Sequence, residues 1–188
     1  FAFDRAKMLN GSSAGFVTTG ITVAPNEYTF LPSDLDGRFL PPPGTGNPFV
    51  SYPDSGTYIV RLFHADFVTP GNTTFAIVGA PAAAAFTVLC PGTRNCVPEL
   101  GSGTAGKLNG IGDRLMFRLA YRKFGDGHEA VVGNYTVSSA GVAGVRWFEL
   151  RAVTTAPTVF QESTYQPDAT WRWMGSVAMD QSGNLAIG

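Results

Sequence analysis

Apolar and polar positions alternate along most of this chain, and the alternation returns in a regular unit. Residues 58–67 (Tyr58, Ile59, Val60, Arg61, Leu62, Phe63, His64, Ala65, Asp66, Phe67) lead into a polar turn at 69–73 and a second apolar run, Phe75 to Val78. The same order follows at 114–124, with the turn Gly125-Asp126-Gly127 and the run Ala130-Val131-Val132. It comes a third time at 173–180, with Gln181-Ser182-Gly183 and then Leu185-Ala186-Ile187. A period of two marks half-buried strands, and a glycine-bearing polar turn between two of them marks a hairpin. Each unit closes on glycine, at Gly79, Gly133 and Gly188, spaced 54 and then 55 residues apart.

Further strands are predicted at 16–19, 28–31, 142–151 and 157–162, whereas 4–9 reads as a short helical turn stopped by Asn10-Gly11. Residues 32–37 and the proline-rich 41–48 read as loops. A repeat of this length holding about four short strands is the signature of a propeller blade. The expected fold class is therefore all-β: a partial β-propeller of about 3.5 units of ~54 residues, in one domain spanning 1–188. A β-sandwich, which also uses short strands and regular turns, is the alternative. Both ends fall within strand-like runs, Phe1-Ala2-Phe3 and Leu185 to Gly188, as expected for a piece of a larger propeller.

Composition sharpens this picture. Charged residues make up 14% of the chain, against about 25% in an average soluble protein. The 23 glycines and 13 prolines supply turns, and 44% hydrophobic residues exclude a disordered or collagen-like chain. A net charge of −1 argues against nucleic acid as a partner, since phosphate neutralisation needs surplus Lys and Arg. No run reaches the ~18 consecutive apolar residues of a membrane helix; the most apolar stretch, 76–89, is broken by Gly79 and Pro81. Cys90 and Cys96 enclose Pro91 and Gly92, a spacing that lets the chain turn back into a local disulfide. A metal pair would want a second Cys or His pair nearby, and none is present. The expected disulfide implies secretion or another extracytoplasmic location.

Three constellations carry candidate chemistry. Arg118 and Arg122 lie four apart on one strand face with Arg114, and Arg146, Glu149 and Arg151 alternate along the next long strand. As ligand-binding candidates these are Arg118, Arg122, Arg146 and Glu149; as structural groups, such arginines pair with acids and stack on aromatics. His64 and Asp66 share a face and form a weak candidate metal pair, with Asp126, His128 and Glu129 further on; no third ligand pattern is evident, and no cofactor is expected. Trp171 and Trp173 share a face opposite Arg172, with Trp147, Phe148 and Tyr165 as further aromatics. Aromatic faces beside polar groups suit sugar stacking, although blade cores bury the same residues. Serine-nucleophile, phosphate-loop and dinucleotide motifs are absent from the sequence.

The stretch Val177-Ala178-Met179-Asp180-Gln181-Ser182-Gly183-Asn184-Leu185 resembles the Asp-containing hairpin of many propeller repeats, including the Asp-box of sialidase-like folds. Its aspartate accepts backbone N–H groups within the turn, and its glycine takes a positive φ. Residues 112–125, 144–151 and 171–184 are similar to strings in an uncharacterised family of large secreted bacterial proteins with consecutive propeller-like blades and a short Cys pair upstream. Where those relatives tend to carry His, this chain has Tyr135. The resemblance implies a propeller-like fold and secretion, and no activity. The three same-face arginines resemble the carboxylate-binding cluster of sialidases, whose chemistry also needs Tyr with Glu and an acid/base Asp. Tyr121, Glu149 and Asp126 supply those residue types. The expected role is an extracytoplasmic binding or assembly module directed at carbohydrate, with a glycan or another protein chain as partner. Two alternatives stand beside it: a carbohydrate-active hydrolase or lyase, and a structural subunit joined through edge strands.

Overall fold

The structure, a computed structural model, describes residues 1–103 and 106–188, and strands make up almost all of its regular elements. At the start, β1 (Ala2–Phe3) pairs with β2 (Phe16–Val17) around the short helix α1 (Arg5–Leu9). Asp4 caps α1 by accepting the Lys7 N–H at 3.2 Å, and Gly11 at φ 74° turns the chain back, as the sequence predicts. There follow β3 (Leu31–Asp36), β4 (Asn47–Val50), β5 (Val60–His64), β6 (Thr74–Gly79) and β7 (Thr87–Val88). The small hairpin β8 (Asn95–Pro98) and β9 (Lys107–Asn109) precedes the longest strands, β10 (Leu115–Lys123), β11 (Glu129–Ser139), β12 (Val142–Arg151) and β13 (Thr158–Tyr165). The last hairpin is β14 (Val177–Met179) and β15 (Leu185–Ile187).

Nine strands share one sheet in the order β13-β12-β11-β10-β3-β4-β5-β6, with β7 alongside Val137 and Ser138 of β11. β3 is the pivot. Its first residues, Leu31 and Pro32, pair antiparallel with β4, whereas 33–36 pair parallel with 119–122 of β10. The sequence predicts a loop here, because Pro32, Asp34 and Asp36 are poor strand formers. A strand forms because Pro32 sits where the pairing partner changes and Arg118 of β10 bonds both aspartates.

The sheet curls until its two halves face each other. Val50, Tyr52, Tyr58 and Val60 pack against Leu119, Val131, Tyr135, Phe148 and Leu150, and the Tyr58 and Phe148 rings lie 4.5 Å apart. At one corner the ends meet: a Cβ added to Gly79 would lie 2.9 Å from Pro157 Cδ. β11 is buried on both faces. Val131, Tyr135 and Val137 look into the curl, while Ala130 and Val132 lie beneath Val177 and Met179 of the β14–β15 hairpin.

All three hairpins expected from the alternation are present, as β5–β6, β10–β11 and β14–β15. The first two belong to the same sheet, and the third lies across its outer face. Their matching glycines stand differently. Gly79 ends β6, Gly188 follows β15, and Gly133 lies inside β11, where an added Cβ would come 2.6 Å from Phe148 Cζ. The chain is thus all-β, organised around a curled half-barrel sheet. No described helix is long and apolar enough to cross a membrane.

Candidate functional site

Cys90 and Cys96 form the disulfide that their spacing predicts, with Cα atoms 5.6 Å apart. Cys90 at φ 52°, Gly92 at 79° and Arg94 at 59° fold the enclosed loop tightly. The closed loop sets Leu89, Cys90 and Val97 against Ala143 of β12, and Trp171 and Trp173 pack on this small core. Two hydrogen bonds tie the tryptophan segment to the sheet. Arg172 N–H donates to Ala143 O at 3.0 Å, and Met174 N–H donates to Thr136 Oγ1 at 3.2 Å.

The result is a cleft of about 360 Å³ lined by Val145, Tyr165, Trp171, Arg172, Trp173 and Met174. Trp171 and Trp173 are half-buried, and Tyr165 is 48% exposed. Arg172 is held in two-pronged fashion by Asp168 at 2.8 and 2.9 Å, with its guanidinium 5.7 Å from the Tyr165 ring centre. Arg172 and then the Thr170 N–H hold the Asp168 carboxyl well below the usual carboxylate range. Partly packed rings beside an anchored planar donor are what stacking of an apolar sugar face requires.

The arginine and acid candidates are dispersed. Arg118 and Arg122 do share the outer face of β10, but their partners differ. Arg118 bonds Asp34 at 2.9 Å and Asp36 through two further contacts; Arg122 donates to Met179 O at 3.0 Å. The Asp36 and Asp34 bonds raise Arg118 above its ordinary value. Arg146 faces the interior, 3.2 Å from Glu162 and 3.2 Å from Thr164 Oγ1. Glu149 lies on the opposite face of β12 at 1% exposure, accepting from Arg151 and Gln161 at 2.7 Å each. Tyr121 donates to Glu129 at 2.7 Å rather than meeting Glu149, and Glu129 is also bonded by Thr154. Burial, then the Glu129 bond, pushes Tyr121 up.

The metal candidates are also accounted for. His64 ends β5 and is exposed. Asp66 turns into its own loop, accepting from Val68 N at 2.9 Å, Thr69 N at 2.8 Å and Asn72 Nδ2 at 3.3 Å. These donors, Thr69 first, hold its carboxyl below the ordinary value. Among the described residues no three His, Cys, Asp or Glu side chains converge. Glu162 escaped sequence reasoning because its partner Tyr58 lies 104 residues away, whereas Glu129, read from the sequence beside Asp126 and His128, bonds Tyr121 and Thr154 instead.

Comparison with known protein families, characterised proteins and solved structures gives no significant match. The likeness to secreted propeller-like proteins therefore rests on the quoted strings, and a functional reading rests on the clefts.

Proposed function

We propose that the chain is an extracytoplasmic carbohydrate-binding module whose sugar site is the cleft of Tyr165, Trp171 and Trp173. One observation carries this reading: three aromatics from separate positions line one shallow cleft beside a guanidinium fixed by Asp168. The disulfide supports an oxidising compartment. As to the finer fold, the repeated hairpins and the Asp180 turn support propeller-like units. The unbroken ladder from β13 to β6 supports a sandwich-like half-barrel more strongly, because blades are separate four-stranded sheets.

A glycan array followed by tryptophan fluorescence titration tests the sugar site. Trp171→Ala and Trp173→Ala are expected to weaken binding by about tenfold or more each, near 1.4 kcal/mol. Absence of any glycan ligand, or full affinity in both variants, would sink the proposal.

A second reading, a structural subunit joined by edge strands, is favoured by β6. It is a sheet edge of Thr74, Phe75, Ala76, Ile77, Val78 and Gly79, without charge or proline, and Ile77 is 55% exposed. Such an edge lacks the usual protection against pairing. Light scattering should then show self-association that Ile77→Lys abolishes; a monomer at all concentrations counts against it.

A further inference from the structure

Of the 13 Lys and Arg side chains, eight pair with carboxylates, which leaves Arg5, Arg38, Lys107, Arg122 and Lys123 without an ion-pair partner among the described residues. Three of these five, Arg38, Arg122 and Lys123, line one cleft of about 470 Å³, and the rest of its wall carries no charged side chain. Unpaired cations scattered over a surface need no explanation. Three gathered in one concavity do, because like charges repel and cleft walls focus the field.

The wall is held from several sides. Phe39 bridges to Lys123 through the backbone, and its ring occupies the space beside Gly125, where an added Cβ would meet Phe39 Cζ at 3.2 Å. The Arg122 guanidinium fills the space left by Gly37, whose φ of 81° favours glycine. Gln181 and Ser182 close the far side, on a turn fixed by Asp180 accepting from Ser182 N at 2.7 Å and Asn184 N at 2.9 Å.

The acids bordering the cleft are already committed. Asp36 bonds Arg118, Asp126 accepts from the His128 backbone and pairs with its ring, and Asp180 serves its own turn. The cations, by contrast, have donors to spare. Among the described residues Arg122 gives one bond, to Met179 O, and its Nε is enclosed with no acceptor. Lys123 Nζ reaches only Gly127 O among the described residues, at 3.2 Å, and Arg38 rests against the Phe39 ring at 4.9 Å.

We propose that this cleft binds a multiply charged tetrahedral oxyanion, a sulfate or phosphate group, held by Arg38, Arg122 and Lys123. Two guanidinium forks and one ammonium present more donors and charge than a single carboxylate satisfies; a doubly charged tetrahedral group uses both. The site is independent of the aromatic cleft. The two lie at opposite ends of the β14–β15 hairpin, one walled by Met174 and the other by Gln181 and Ser182.

Calorimetric titration at low ionic strength with sodium sulfate, sodium phosphate, a sulfated disaccharide and its unsulfated parent tests the assignment. Saturable binding of at least one anion is expected. It should weaken by about tenfold or more in the Arg38→Gln/Lys123→Gln variant and stay unchanged in Lys107→Gln, which removes an unpaired cation elsewhere. A sulfated disaccharide tighter than free sulfate assigns a borne group, and equal affinities assign the free ion; either supports the site. No saturable anion binding, or equal weakening in Lys107→Gln, overturns it. Should the double variant not fold, amide shifts in the unmodified protein decide. Sulfate or phosphate should move Phe39, Gly125 and Ser182, and shifts confined to other regions overturn the proposal.

Discussion

Tyr58 is fully buried, with its hydroxyl donating to Glu162 Oε2 at 2.9 Å and lying 3.1 Å from the Tyr135 hydroxyl. Arg146 completes the group from β12, and the Ala84 N–H bonds the other Glu162 oxygen at 2.5 Å. These side chains join both halves of the curled sheet through polar contacts in an apolar interior, where each group is costly once its partner is lost. Tyr58→Phe is expected to lower stability by about 1–3 kcal/mol, read from denaturant midpoints. Glu162→Gln should cost more, about 3–5 kcal/mol, because it leaves Arg146 buried without a counter-charge. Burial also pushes the phenols of Tyr52 and Tyr58 up and that of Tyr135 to about 12. The folded state thus favours the protonated phenol. Its contribution is whole below the ordinary phenol value of about 10 and is lost as pH rises through the raised values. The phenolate absorbance of these three buried tyrosines should therefore climb in step with loss of circular dichroism in an alkaline titration, and their ionisation within the intact fold would contradict this.

At the level of elements, the disulfide loop and the last hairpin matter most for the clefts. Closing so short a loop stabilises the fold by about 2 kcal/mol in the chain-entropy account. Replacing Cys90 and Cys96 together by serine should loosen the core beneath Trp171 and Trp173 before the main sheet yields. Red-shifted tryptophan emission and weaker sugar binding, at denaturant concentrations where the sheet persists, are the expected signs. The β14–β15 turn depends on Asp180, whose carboxyl is held below its ordinary value by the Asn184 side chain first and backbone N–H groups next. A depressed carboxylate supports the fold above the ordinary aspartate value of about 3.9, and that support is lost as pH falls through the lower, folded value. Carboxyl NMR should give Asp180 a midpoint below 3.9, with the hairpin amides changing together there; a midpoint at the ordinary value would count against the turn's role.

The whole molecule is a sheet with a central spine and two open margins. β11 lies between β10 and β12, buried on both faces, whereas β6 and β13 each pair on one side only. Amide exchange should be slowest at Val131, Val132 and Tyr135 and fastest at the edges and in the two-stranded β1–β2 pair, which stands apart from the main sheet. Uniform protection across the sheet would mean that the margins are covered in solution, as the assembly reading requires. The two clefts belong to this scale as well, since the β14–β15 hairpin forms part of both by lying across the sheet's outer face.

Much of the local structure was legible in the chain itself. Alternation and turn glycines specify the three hairpins, Asn10-Gly11 stops α1, five intervening residues close the disulfide, and Trp171 and Trp173 reach one cleft two positions apart. Each depends on contacts within a few residues, where backbone geometry and side-chain period suffice. Alternation tells which side chains face inward but not which strand lies alongside. Tertiary structure alone decided that β3 is a strand, since its aspartates need Arg118 from 82 and 84 residues away. It alone gathered Arg38 with Arg122 and Lys123, and sent Arg146 inward to Glu162 and Glu149 outward to Arg151. It also separated the meanings of the repeated glycines: Gly79 makes room for Pro157 and Gly133 for Phe148. Even spacing is a property of the chain; what each position must accommodate is set by whatever the curled sheet brings against it.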